Sequence, residues 1–161
     1  MYFIKKGKQI LNIEIENISF YRIAYIRQIG PYGQNNVQIM ERLKNWAKSN
    51  GLFNEESIIL GIAYDNPELV APENCRYDTC LVISNDYCIN DDYISEGSIL
   101  GGNYAVFKIK HTAEAVQKAW LAIFPELFNK GYQLDETRPI LERYSTEMVK
   151  NHYCEICVPI H

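Results

Sequence analysis

Apolar and polar positions alternate along residues 11–16, with Leu11, Ile13 and Ile15 on one side. Residues 21–28 repeat the period of two, so the two runs read as strands, or as one strand bent near Asn17-Ile18-Ser19. Gly30-Pro31-Tyr32-Gly33 is a turn. The period then changes: across residues 37–48, Ile39, Met40, Leu43, Trp46 and Ala47 fall at helical spacing. Asn50-Gly51 stops that helix, because glycine tolerates the left-handed position after a helix end. Trp46 reads either as core or as the wall of a pocket.

Residues 58–64 and 76–83 read as strands joined by a loop that opens with Asp65-Asn66-Pro67. Residues 85–92 are polar and acidic without the residue order of a calcium loop, and read as a solvated hairpin loop. A strand is expected over residues 104–110. Thr112 suits a helix N-cap, Glu114 suits the first turn, and Ala115, Val116, Ala119, Trp120, Ile123 and Phe124 form an apolar stripe. Pro125 is expected to break or restart this helix, and Gly131 to end it. Strands over residues 138–145 and 153–160, with a polar turn between, close the chain.

This order contains a repeat. Tyr21-Arg-Ile-Ala-Tyr-Ile-Arg27 leads to a helix carrying Trp46 and then two strands. Tyr104-Ala-Val-Phe-Lys-Ile-Lys110 leads to a helix carrying Trp120 and then two strands. The expected fold is α+β: two strand-helix-strand-strand repeats forming an antiparallel sheet, helices on one side, and a central cleft where the halves meet. Ligand sites favour such junctions. Residues 1–10 read as a tail or linker with Lys5, Lys6 and Lys8, and residues 11–161 as the domain.

Glu155 stands in the middle of the last strand, where glutamate is depleted. Alternation puts Tyr153, Glu155 and Cys157 on one face and Cys154, Ile156 and Val158 on the other. Glu155 is either a solvated residue of an exposed face or the polar anchor of a pocket. The same alternation sets Cys154 and Cys157 apart and argues against a metal pair, so no metal site is expected.

Composition narrows the functions. The chain of 161 residues has a formal net charge of -4, which argues against a direct grip on nucleic acid. Its 12 tyrosines supply flat apolar area with polar tips. There is no apolar run of membrane-spanning length and no signal-peptide pattern, which leads to an expectation of a cytoplasmic protein whose five cysteines are free thiols. No catalytic serine motif, phosphate-binding glycine loop or metal cluster is evident, and no cofactor is implied.

Seven stretches together resemble the GyrI-like small-molecule-binding domain, also called the AraC effector-binding domain. They are Arg22-Ile-Ala-Tyr-Ile-Arg-Gln-Ile-Gly-Pro-Tyr32, Tyr64-Asp-Asn-Pro67, Cys75-Arg-Tyr-Asp-Thr79, Gly101-Gly-Asn-Tyr-Ala-Val-Phe107, Gly131-Tyr132, Arg138-Pro-Ile-Leu-Glu-Arg-Tyr144 and Glu155-Ile-Cys-Val-Pro-Ile160. Each is weak alone; their order over nearly the whole chain is specific. The resemblance implies two such repeats around an aromatic-lined cavity with a glutamate on the last strand, here Glu155, and commonly one on the penultimate strand, here Glu142.

A carboxylate within aromatic walls selects lipophilic cations, because desolvation strengthens its attraction and ring faces add cation–π energy of roughly 0.5–2 kcal/mol. A buried, unpaired glutamate would also hold its proton until a cation arrives. The wall candidates are Tyr32, Tyr64, Tyr104, Trp120, Tyr144 and Tyr153. Arg76 and Asp78, flanking Tyr77 on one strand face, read as a structural ion pair. The resemblance implies the effector-sensing domain of an AraC-type regulator or a standalone relative, with DNA reached only through a separate helix-turn-helix domain. A second reading is a gyrase-inhibitor-like or drug-sequestering protein. A third is a hydrolase of cyclopropane-containing genotoxins, in which Glu155 with Tyr104 or Tyr144 would orient water. The expectation is binding without turnover.

Overall fold

A computed structural model describes residues 12–161. The expected basic tail and the strand start at Leu11 lie outside the described residues. The elements are β1 (Ile13–Ile18), β2 (Tyr21–Ile29), α1 (Gln34–Ser49), β3 (Ile58–Ala63), β4 (Arg76–Ile83), β5 (Ser95–Ile99), β6 (Gly102–Lys110), α2 (Ala113–Asn129), β7 (Leu141–Ser145), α3 (Thr146–Lys150) and β8 (Tyr153–Pro159).

The eight strands form one antiparallel sheet in the order β1-β6-β8-β7-β3-β4-β2-β5. The expected α+β fold of two repeats stands, with one strand more per repeat. Mapping β1 onto β5, β2 onto β6, β3 onto β7 and β4 onto β8 turns the order into its own reverse. The leading strands are exchanged: β1 pairs with β6 of the second repeat, and β5 pairs with β2 of the first. The β3–β7 ladder, where Gly61 lies opposite Glu142, joins the halves.

Alternation divides the side chains between two faces. On one face α1 covers Ala24, Ile26, Ile59, Leu81 and Ile83, using Leu43, Trp46 and Ala47. On the same face α2 covers Ala105, Phe107, Ile109, Cys154, Ile156 and Val158, using Ala119, Ile123 and Leu127. The opposite face carries its own core, including Ile23, Leu60, Ile62, Tyr104, Val106, Leu141 and Cys157. It is concave. Arg143 on β7 bonds Glu16 on β1, three strands away. Three flat strand spacings are about 14 Å, and Glu16 also lies about four residues along β1 from the row of Arg143, so a flat sheet would hold the two farther apart than both side chains reach; the sheet curls over this face.

Several local expectations change. The helix α2 runs through Pro125, which is exposed, while Ile123 and Leu127 on either side are buried against the sheet; packing holds the helix across the missing hydrogen bond. Thr112 does cap it, accepting from the Ala115 N–H at 3.1 Å. The polar turn after β7 is the short helix α3, capped by Ser145 Oγ on the Met148 N–H. The acidic loop 85–92 is docked rather than fully solvated. Tyr87 and Ile89 pack on the α1 core, and Trp46, itself buried there, donates its indole N–H to Asp91. Arg76 and Asp78 are both ion-paired, but not to each other: Arg76 binds Asp65, and Asp78 binds Arg27. The five cysteines are free thiols, with Cys154 and Cys157 on opposite faces.

Candidate ligand-binding site

Each long helix covers its own half of the sheet and leaves the β3–β7 junction open between them. A cavity of about 620 Å³ occupies this gap. Its size suits an organic molecule of drug-like dimensions. The floor is Ile59 and Ala63 of β3, Tyr77 of β4, and Glu142 and Tyr144 of β7. One wall comes from α1 through Asn36, Val37, Met40, Glu41 and Lys44; Trp120 of α2 and His111 stand opposite. Tyr32, Phe53, Ser57 and the α3 region complete the lining.

Glu142 is the charged group of the floor. Tyr77 donates its hydroxyl to Glu142 Oε1 at 2.9 Å. Gly61 makes this contact possible, since a Cβ there would lie 2.0 Å from the Tyr77 hydroxyl oxygen and 3.0 Å from Glu142 Oε1. Burial holds the Glu142 carboxyl above the ordinary carboxylate range, and the tyrosine hydrogen bond offsets part of that. Burial, and then the neighbouring carboxylate, push the Tyr77 hydroxyl up. Tyr77 is fixed edge-on by Tyr32, ring centroids 6.0 Å apart. The Tyr32 hydroxyl is tied to the backbone, donating to Arg76 O at 2.7 Å and accepting from the Asp65 N–H at 3.1 Å. Tyr144 belongs to both helix-side clusters and stands 5.4 Å from the His111 ring.

Four of the sequence candidates meet in this cavity: Glu142, Tyr32, Trp120 and Tyr144. The other four do not line it. Glu155 lies on the opposite face, accepting from Arg143 Nε at 2.9 Å, and the same guanidinium binds both oxygens of Glu16. Tyr104 is buried in that face's core and donates to Leu100 O. Tyr64 lies beside the Arg27 and Arg76 guanidiniums, and Tyr153 beneath the Lys108 ammonium. Of the two candidate strand glutamates, the one that lines the cleft is therefore that on the penultimate strand. Tyr77, Met40, His111 and the α3 residues were not anticipated. Tyr77 was legible in part: its strand alternation places it opposite the face of Arg76 and Asp78.

The family model described as GyrI-like small molecule binding domain matches residues 11–161. The chain belongs to this family. A GyrI-like relative of Bacillus subtilis (strain 168), the SPbeta prophage-derived putative transcriptional regulator YosT, is 42% identical over 151 residues, covering 93% of this chain and 99% of the relative. A DNA gyrase inhibitor of Cronobacter turicensis is 29% identical, covering 91% of this chain and 93% of its own length. Among solved structures, the EcmrR C-terminal domain superposes with a TM-score of 0.75 at 15% identity, covering 95% of this chain and 99% of that one. SAV2435 bound to tetraphenylphosphonium superposes at 0.58 with 13% identity, covering 93% and 94%. These two likenesses are of fold. The GyrI-like chain has no helix, among the described residues, long and apolar enough to cross a membrane.

Proposed function

We propose that the cavity binds a lipophilic organic cation, with Glu142 as counter-charge and Tyr32, Tyr77, Trp120 and Tyr144 as aromatic walls. The observation that carries this reading is the placement of Glu142. It is a carboxylate set among rings, with one neutral hydrogen-bond donor and no basic partner among the described residues. A cation that enters stabilises the charged form there, where desolvation makes the attraction strong, and the ring faces add to it. SAV2435, similar in fold, is bound to tetraphenylphosphonium, which agrees with a cation in this fold. Occupancy is then read out in transcription, in keeping with the name of YosT, and any DNA contact comes from a separate unit, in keeping with the EcmrR–DNA complex, in which this fold accounts for 61% of the chain.

The test is a matched pair of equal shape and opposite charge. Tetraphenylphosphonium should bind in a calorimetric titration and tetraphenylborate should not. Equal binding of the two, or preference for the anion, would overturn the reading.

The gyrase-inhibitor relative favours a second reading, in which the same cavity serves a protein that acts on gyrase or sequesters drugs. A supercoiling assay with added protein separates it from the first. The hydrolase reading, expected on Glu155 with Tyr104 or Tyr144, moves to the Tyr77–Glu142 pair in the cavity, which would polarise a water molecule. Incubation with a cyclopropane-containing indole compound tests it: an unchanged mass favours binding without turnover.

A further inference from the structure

Resting on the cation-binding reading, we infer that the cavity selects cations that carry N–H donors over fully alkylated ones, and that Asn36 is the residue that discriminates. Several polar groups of the lining are already engaged. The Ser57 hydroxyl donates to Leu52 O and accepts from the Asn54 N–H. Ser145 caps α3, and Thr146 donates to Asn54 O. Tyr32 is bound to backbone and Tyr77 to Glu142.

Asn36 differs. It lies in the first turn of α1 and lines the cavity, yet its Oδ1 is buried with no hydrogen-bond partner. Such an acceptor is costly to bury unpaired. Its terminal torsion is broad, so a turn of the amide breaks no bond at that oxygen and presents it to the cavity. Glu142 also has an oxygen, Oε2, that makes no hydrogen bond to the described residues. Asn36 and Glu142 both belong to the lining of this one cavity, with Tyr32 and Tyr77. A planar cation with amino or amidinium N–H groups satisfies both. A quaternary or fully N-methylated cation satisfies only the charge and leaves Asn36 starved.

The chemistry therefore points to protonated aromatic amines, amidines or amino-substituted dyes. Rhodamine 123 and tetramethylrhodamine methyl ester are a suitable probe pair. They share core, charge and ester, and differ in N–H against N–CH₃ at the amino groups. The unaltered protein should bind rhodamine 123 about tenfold more tightly, the value of a hydrogen bond to a buried acceptor. The extra methyls alone would favour the other dye. Asn36→Ala, which suits a helix, should cost rhodamine 123 about tenfold and change the tetramethyl dye by less than about twofold. Circular dichroism checks that the variant folds. If both dyes bind but Asn36→Ala weakens them equally or not at all, the inference is overturned and the cation reading stands. If the unaltered protein prefers the tetramethyl dye, it is likewise overturned. If neither dye binds, the cation reading itself fails, and this inference with it.

Discussion

Glu142 and Arg143 are neighbours on β7 and face opposite sides of the sheet. Glu142 turns to the helix-side cavity, where Tyr77 donates to it at 2.9 Å. Arg143 turns to the concave core, where it ties β1 and β8 to β7 through Glu16 and Glu155. One residue of register thus separates a carboxyl that lines the cavity from a guanidinium committed to the fold.

The committed side has a consequence for stability. Arg143 is buried, with its side chain 8% exposed, and its loss leaves Glu155 without its ion partner and removes the side-chain tie to the edge strand β1. Arg143→Ala is expected to cost about 2–3 kcal/mol, discounted because Glu16 is half open to solvent. Urea denaturation measures this. Cation affinity of the folded protein should hold.

Gly61 sets the geometry of the floor. Adding one methyl places a carbon within 2.0 Å of the Tyr77 hydroxyl oxygen and forces that ring away from Glu142. Gly61→Ala should destabilise by about 1–3 kcal/mol, as overpacking does, and weaken ligand binding together with stability. Paired melting and titration experiments check both effects.

The strand pattern disclosed much of this arrangement but not its orientation. Alternation on β8 correctly separated Glu155 from Cys154, Ile156 and Val158. It could not say which face the helices leave open. The α2 helix lies on the Ile156 face, so the cleft between helices is on that side, and Glu155 looks away from it. The same parity removes Tyr64, Tyr104 and Tyr153 from the cavity and brings in Tyr77. The Ser-Glu-Gly-Ser-Ile run of β5 has little strand propensity; it is a strand because it completes the edge beside β2. The exchange of leading strands between repeats is a long-range pairing that no local pattern carries. The helix caps, by contrast, are local chemistry and were readable at Thr112 and Asn50-Gly51.

Proton linkage follows from the raised carboxyl of Glu142. Its folded-state pKa lies above its unfolded value, so its contribution to stability is complete below the unfolded pKa. That contribution is lost as pH rises through the folded pKa. Glu142→Gln should therefore stabilise the empty domain at neutral pH. Cation binding runs the other way, tightening as pH rises through the folded pKa, with proton release in that range. Titration in buffers of different ionisation enthalpy detects the released proton.

Trp120 and Tyr144 supply ring faces rather than charge. Trp120→Leu should weaken cation binding by about 0.5–2 kcal/mol and leave binding of a neutral aromatic of similar size less affected. Fluorescence titration with both probes distinguishes the ring contribution from loss of apolar area.

The most direct test compares the two glutamates. Tetraphenylphosphonium is titrated calorimetrically into the unaltered protein, Glu142→Gln and Glu155→Gln at one pH above the Glu142 transition. The expected result is a loss of at least about tenfold in affinity for Glu142→Gln, in keeping with removal of a desolvated charge partner, and a change within about twofold for Glu155→Gln. The opposite pattern, with Glu155→Gln losing the ligand and Glu142→Gln retaining it, would contradict the placement of the ligand between the helices.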